Sequence, residues 1–125
     1  MPILNGSCHC GAVEFTVDIG DDGFESLRRC NCSLCRRKGA VMAGVPEDRF
    51  TLTKGEDVLT LYQWNLKIAK HYFCSICGIY TFHRPRQAPD TYGFNVGCLE
   101  GVDPFSLDAP VRDGASLSVA GEDGS

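Results

Sequence analysis

The chain has 125 residues, 43% of them hydrophobic, and a formal net charge of -4, with a pI near 5.2. That size fits one compact domain, and the acidic balance excludes the overall basic field that a nucleic acid or an anionic membrane would require. The start, MPILNGSCHC, has no basic region leading into an apolar run. No segment approaches the roughly 20 apolar residues of a spanning helix, so the expectation is a cytoplasmic protein without a secretory signal or a membrane span.

In chain order, segments with alternating or β-branched residues read as strands: AVEFTV (12–17), AVMAGV (40–45), RFTLT (49–53), VLTLYQW (58–64), KHYFC (70–74), IYTFH (79–83) and YGFNVG (92–97). Turn residues separate them, among them Asp22-Gly23, Lys54-Gly55, Cys77-Gly78 and the Pro85 to Pro89 stretch, as a small antiparallel β fold requires. Nothing sustains a helical period, and a turn of helix is expected only after Cys35 or Pro104. A single domain over residues 4–112 is expected. From Asp113 the sequence DGASLSVAGEDGS is small, polar and acidic, so residues 113–125 are expected to form a flexible tail.

Eight cysteines need a common explanation. In a reducing compartment, clustered thiols point to metal ligation rather than to disulfides. Cys8 and Cys10 lie in SCHCGAVEF and Cys74 and Cys77 in FCSICGIYTF, each pair followed at once by glycine. A metal knuckle turns its backbone tightly so that N–H groups face the sulfurs, and a residue tolerant of positive φ eases that turn; Gly11 and Gly78 fit. In extended backbone, positions two apart project to one side, so Cys8 and Cys10 can share an ion while His9 points away. Two such pairs make a closed tetrahedral set of four thiolates joining segments more than sixty residues apart. The rival reading of Cys74 and Cys77 is a redox pair, but such pairs usually open a helix after a strand, and strand-like residues follow here.

Cys30, Cys32 and Cys35 sit within six positions of RRCNCSLCRRKG, and Cys98 stands alone in NVGCLEG. Three thiols from one loop supply three corners of a tetrahedron. Zinc held by three protein ligands has a corner for chemistry, whereas zinc held by four is structural. Whether Cys98, His71 or His83 closes the set is left open by the spacing, and Cys98 can equally be a buried apolar thiol. Arg28, Arg29, Arg36, Arg37 and Lys38 surround the loop with no acid among them; this positive field favours thiolate over thiol and attracts anionic substrates, although part of it would simply offset the negative charge of a metal-thiolate cluster. The aromatic residues Tyr62, Trp64, Tyr72, Phe73, Tyr80 and Phe82 fall in strands next to a knuckle, which favours core packing over a platform for stacking bases.

With CxC, CxCxxC and CxxC in that order, and with VPEDRFTLTKGEDVLTLYQWN (45–65), AKHYFCSICGIYTFHRPR (69–86) and NVGCLEG (95–101), the chain resembles the glutathione-dependent formaldehyde-activating enzyme family, which also includes centromere protein V. The likeness spans roughly residues 4 to 108. It implies a β-tent zinc-knuckle fold with two zinc ions: a structural one on Cys8, Cys10, Cys74 and Cys77, and a catalytic one on Cys30, Cys32 and Cys35, with Cys98 outside the ligand set. The implied activity is a carbon–sulfur lyase reaction that joins a thiol such as glutathione to formaldehyde or a related aldehyde, giving S-(hydroxymethyl)glutathione. Arg28, Arg29, Arg36, Arg37, Lys38, Arg84 and Arg86 are candidates to hold the carboxylates of such a thiol. His71 or His83 could pass protons, and Asn95 and Tyr92 are candidate polar groups of the pocket. These 125 residues contain no basic, proline-rich stretch like that of centromere protein V, so no cytoskeletal or chromatin role is expected. The alternative of a different class is a binding module in which both zinc ions are structural.

Overall fold

The computed structural model describes residues 3–21, 23–63, 67, 69–85 and 90–113. Trp64, Arg86 and the expected tail from residue 114 onward lie outside the described residues. Strands β1 (Ile3–Ser7), β2 (Glu14–Asp18) and β5 (Phe50–Lys54) form an antiparallel sheet in the order β1-β2-β5. The larger sheet contains β3 (Glu25–Cys30), β4 (Met42–Pro46), β6 (Leu59–Tyr62), β7 (Lys70–Cys74), β8 (Tyr80–Arg84), β9 (Thr91–Asn95) and β10 (Val111–Arg112), in the order β10-β3-β4-β9-β8-β7-β6. Its pairings are antiparallel except for the two-residue parallel pair of β10 with β3. Among the described residues the one α-helix is α1 (Ser33–Lys38), so the expected mainly β architecture with little helix is what is found.

The sheets pack through alternation. In β2 the sequence EFTVD buries Phe15 and Val17 and leaves Glu14 exposed, the pattern of a strand with one face on a core. Phe15 stacks on Phe50 at 5.2 Å, and Phe50 meets Phe82 at 4.7 Å and Tyr92 at 4.5 Å. Ala43, Val45, Phe94 and Val96 complete this core. Cross-strand partners share a sheet face, so the pairs of Ala43 with Phe94, Phe94 with Phe82, and Phe82 with Tyr72 mark the core-facing side of the larger sheet.

The other side of the same sheet is different in kind. Gly44, Gly93, His83, His71 and Tyr62 form one continuous row across five strands. The imidazole of His83 lies against Gly93, occupying the space that any Cβ there would need. The expected helical turn after Cys35 is displaced: α1 begins at Ser33 and contains Cys35. The reason is local, because the Cys32 sulfur accepts the Cys35 N–H at 3.4 Å and so caps the helix as a serine or aspartate would. Gly39, at φ 64°, ends it. The turn expected at Pro104 is present as a 3-10 turn over Pro104–Ser106.

Candidate metal centres and the pocket beside them

The β1–β2 connection carries Cys8 and Cys10, Cys74 ends β7, and the β7–β8 connection carries Cys77. Their four sulfurs all lie within 4.8 Å of one another. Cys8 Sγ to Cys10 Sγ and Cys10 Sγ to Cys74 Sγ are both 3.7 Å. A tetrahedral zinc with Zn–S bonds of ~2.3 Å separates its sulfurs by about 3.8 Å, so the set fits that ion. Backbone N–H groups point at the sulfurs as the knuckle geometry requires: Val13 N–H to Cys8 at 3.3 Å and Ile76 N–H to Cys74 at 3.4 Å. Gly11 at φ 81° and Gly78 at φ 78° make the two turns, as expected from their places after Cys10 and Cys77.

The thiols of this set do not titrate alike. Burial pushes Cys77 up, but the N–H groups of Cys10 and Ile79 and the neighbouring Cys74 and Cys10 sulfurs outweigh it and hold it at about 6. For Cys10 the Ala12 N–H pulls downward, while burial and the Cys8, Cys74 and Cys77 sulfurs push it up to about 11. The four groups thus share negative charge, which is the condition a divalent cation relieves.

The second cluster is local. Cys30 ends β3, Cys32 caps α1 and Cys35 lies in its first turn, and their three sulfurs are within 4.8 Å of one another. Cys32 and Cys35 are buried, and Cys30 is half-buried. No fourth cysteine, histidine or carboxylate joins this group among the described residues. Cys98 is engaged elsewhere: its S–H donates to the Tyr80 carbonyl at 3.7 Å. Burial first, and then the Cys8 and Cys77 thiolates, push Cys98 up to about 12.

Around the three sulfurs the second face of the larger sheet meets α1. Lys38 Nζ sits 3.8 Å from the centre of the Tyr80 ring. Burial lowers the Lys38 ammonium's pKa and the Cys35 thiolate pulls it part of the way back. Tyr80 Oη lies 2.9 Å from His71 Nδ1, and the rings of His71 and His83 stack at 5.5 Å. Burial, with the Lys38 charge, brings His71 down to about 4, and the same causes take His83 well below its ordinary value. Tyr80 is raised well above its own by burial and by the nearby Cys35 thiolate. Two cavities share residues with these surroundings, and none of the three cysteines lines either one. One, of about 310 Å³, is lined by Glu25, Ser26, Arg28 and Arg112 among others; the second, of about 330 Å³, by Leu34, Lys38, Tyr62, His71, Phe73 and Tyr80.

The other residues singled out from the sequence separate into those near this cluster and those that are not. Arg28 is close: burial lowers its pKa, Arg112 adds to that, and the Cys35 and Cys30 thiolates oppose it, while its Nη1 donates to the Ser26 carbonyl at 2.8 Å. Arg36 and Arg37 are on the exposed side of α1. Asn95 supports rather than lines the site, donating to the Tyr80 carbonyl at 2.9 Å and accepting from Gly97 N–H. Arg84 projects from the opposite side of β8, where it pairs with Glu47 at 2.8 Å and covers the Tyr92 ring. Tyr72 and Phe82 pack in the core as expected, but Tyr80, Phe73 and Tyr62 face the second cavity. The readable signal for Tyr80 is its place after a knuckle on the strand that carries His83; its register opposite Phe73 is visible only in the structure.

A two-sheet β domain that gathers seven cysteines into a four-sulfur and a three-sulfur set is, by fold and site, a β protein with two thiol clusters able to hold metal ions. The sequence profile of the glutathione-dependent formaldehyde-activating enzymes matches residues 3–111, and the chain belongs to that family. It is 34% identical over 83 residues to a Halomonas elongata protein provisionally named as a glutathione-dependent formaldehyde-activating enzyme. That match spans 60% of this chain and 52% of the relative, about half its length. The crystal structure of a Rhodobacter sphaeroides protein is also similar, at 48% identity and a TM-score of 0.81, covering 86% of this chain and 99% of that one. No described helix is long and apolar enough to cross a membrane.

Proposed function

We propose that the chain catalyses the reversible addition of a glutathione-like thiol to formaldehyde or a related small aldehyde, a carbon–sulfur lyase reaction. Cys8, Cys10, Cys74 and Cys77 would hold a structural zinc, and Cys30, Cys32 and Cys35 a second zinc. Held by those three sulfurs, a zinc ion would supply Lewis acidity that favours thiolate over thiol near neutral pH. The observation that carries the reading is the three-sulfur set itself, with no fourth described cysteine, histidine or carboxylate in reach and with Cys98 turned to the Tyr80 carbonyl.

The chemistry balances without an oxidant or reductant. The thiol gives up its proton, a sulfur lone pair forms the C–S bond, the carbonyl π pair moves to oxygen, and that oxygen takes up a proton; the reverse reaction breaks the same bond. Lys38, beside Cys35 and held on the Tyr80 ring, offers positive charge where oxygen becomes negative. The Arg28 guanidinium, next to Arg112 along the other cavity, suits a carboxylate of the thiol's body. His71 and His83 stay neutral at physiological pH and are not fixed charges; His71 Nδ1 shares a hydrogen bond with Tyr80 Oη.

The test is exchange spectroscopy on glutathione and formaldehyde, comparing the chain with Cys32→Ser. Serine retains the helix cap and removes one of three sulfurs. Exchange accelerated by the native chain and returned to the uncatalysed rate in a folded Cys32→Ser is expected. Equal acceleration by both would overturn the reading.

A further inference from the structure

The outer strands of the two sheets differ in how their free edges are protected. The edge of β1 is met by Leu99 and Glu100, through the Gly6–Leu99 bridge and the Glu100 N–H to the Asn5 carbonyl at 2.9 Å. β10 is only two residues long, and β5 is flanked by Arg49 and Lys54. Short length, a covering segment and charged residues are the usual devices that keep a strand edge from pairing with another chain. β6 is the last strand of the larger sheet among the described residues, and it has neither a covering segment nor a charge. Its stretch VLTLYQ, residues 58–63, contains no charged residue, proline or glycine, and its pairing with β7 has no bulge.

The register fixes what this edge offers. Ser75 N–H donates to the Val58 carbonyl at 2.9 Å, so Val58 and Ser75 are a hydrogen-bonded pair. Such pairs alternate along an antiparallel ladder. Thr60 and Tyr62 therefore bond to Phe73 and His71, whereas the N–H and C=O groups of Leu59 and Leu61 point away from β7. No described residue takes them up. Leu61 lies opposite Tyr72 on the core-facing side of the sheet, yet it is 46% exposed. Beside Leu59 the core itself opens, in a cavity of about 200 Å³ lined by Phe50, Tyr72 and Tyr92 among others.

We infer that β6 pairs with β6 of a second copy of this chain, antiparallel about a two-fold axis at Thr60, joining the two larger sheets edge to edge. In that register Leu59 of each copy opposes Leu61 of the other, and every outward N–H meets an outward C=O. Thr60 faces Thr60 and Tyr62 faces Val58. On the core side Leu59 and Leu61 of both copies form one apolar cluster beside the openings. Charge selects the antiparallel sense: it keeps the Glu56-Asp57 pairs of the two copies at opposite ends, whereas a parallel pairing would set them side by side. An uncharged strand has nothing along its length to repel its own copy. The contact is short. A standard interface uses about 20–30 residues a side, so a pairing of one four-residue strand gives a weak, concentration-dependent dimer. Tyr62 also lines the cavity beside α1, so the partner strand would extend that wall. The inference does not depend on the proposed reaction.

Sedimentation velocity on the zinc-loaded full chain, in a series reaching high micromolar concentration, should show the mass rising from 13.6 kDa toward twice that value. Residue-resolved amide hydrogen exchange on the same samples locates the contact. The Leu59 and Leu61 amides should exchange about tenfold more slowly or better in the dimer than in the dilute chain, and those of Thr60 and Tyr62, already bonded to β7, should change less. Leu61→Lys, at an exposed position, should keep the circular dichroism and Tm of the native chain and abolish both effects, because it sets an ammonium against the partner's edge. A chain that stays monomeric throughout, a dimer whose Leu59 and Leu61 amides exchange as in the monomer, or a dimer retained by Leu61→Lys would each overturn the inference. So would protection of those two amides at every concentration that disappears when residues 114–125 are removed, since the chain's own tail would then be the occupant.

Discussion

Replacing Cys74 by serine should destabilise the chain far more than replacing Cys32, and the structure sets the size of the difference. Cys74 is fully buried, and its sulfur is 3.7 Å from that of Cys10, 64 residues earlier in the chain. An ion held there acts as a cross-link across that span. Treated as loop closure in the unfolded state, such a link is worth about 4 kcal/mol. This is a floor, because apparent binding energies of structural zinc in small peptides reach ~10–16 kcal/mol. Cys30 and Cys35 are only five positions apart, and the same arithmetic gives about 2 kcal/mol for that staple. For a domain of this length 1 kcal/mol moves Tm by roughly 3–5 °C, so Cys74→Ser should lower it by about 12–20 °C or more and Cys32→Ser by about half as much. Against a typical stability of ~5–15 kcal/mol, the first loss takes much of the total. Serine at position 32 also keeps the cap on the Cys35 N–H, which removes a confounding helix effect. Thermal unfolding followed by circular dichroism on both variants, with metal content determined in parallel, is the assay. A Cys32→Ser variant as unstable as Cys74→Ser would refute the reasoning that the four-sulfur set is the one that holds the fold together.

Three further outcomes follow from particular residues. Cys98→Ala should leave the metal content per chain unchanged, read by elemental analysis, and in the native chain Cys98 should resist alkylation at neutral pH, because its thiol is pushed up to about 12, read by peptide mapping after iodoacetamide. His71, lowered to about 4, should show no imidazole titration by NMR above pH 6. Since the unfolded chain binds that proton near the ordinary 6.5, its contribution to stability is full above pH 6.5 and is lost as pH falls toward 4. Gly93→Ala should cost about 1–3 kcal/mol by displacing the His83 ring from the space a Cβ would take, measured as a fall in urea midpoint; an unchanged midpoint would mean that the ring shifts freely.

The sequence was most legible where alternation is strong. AVEFTV, RFTLT and YGFNVG fall on β2, β5 and β9 because Phe15, Phe50 and Phe94 each need a core on one side only. β1 and β3 carry no such signal. ILNGS contains the turn-prone pair Asn5-Gly6, and in ESLRRC the paired arginines hide the alternation; both are held by partners distant in sequence. The two-residue β10 has no signature of its own and exists because the chain returns alongside Arg29 and Cys30. Among the site residues, the cysteine spacing alone grouped the four-sulfur and three-sulfur sets. Spacing could not show where Cys98 goes, since that depends on β8 and the turn after β9 meeting in space. Nor could it show that Tyr80, Lys38 and the two histidines share one sheet face under α1, which requires the register of β7, β8 and β9.

The central claim is that protein sulfur completes one metal site and leaves a corner of the other to an incoming thiol. X-ray absorption at the zinc edge on the chain loaded with two ions tests it directly. Four sulfurs at one site and three at the other predict a mean of about 3.5 sulfurs per zinc, rising toward four when glutathione is added. A mean of four before any thiol is present, unchanged by adding it, would contradict the account.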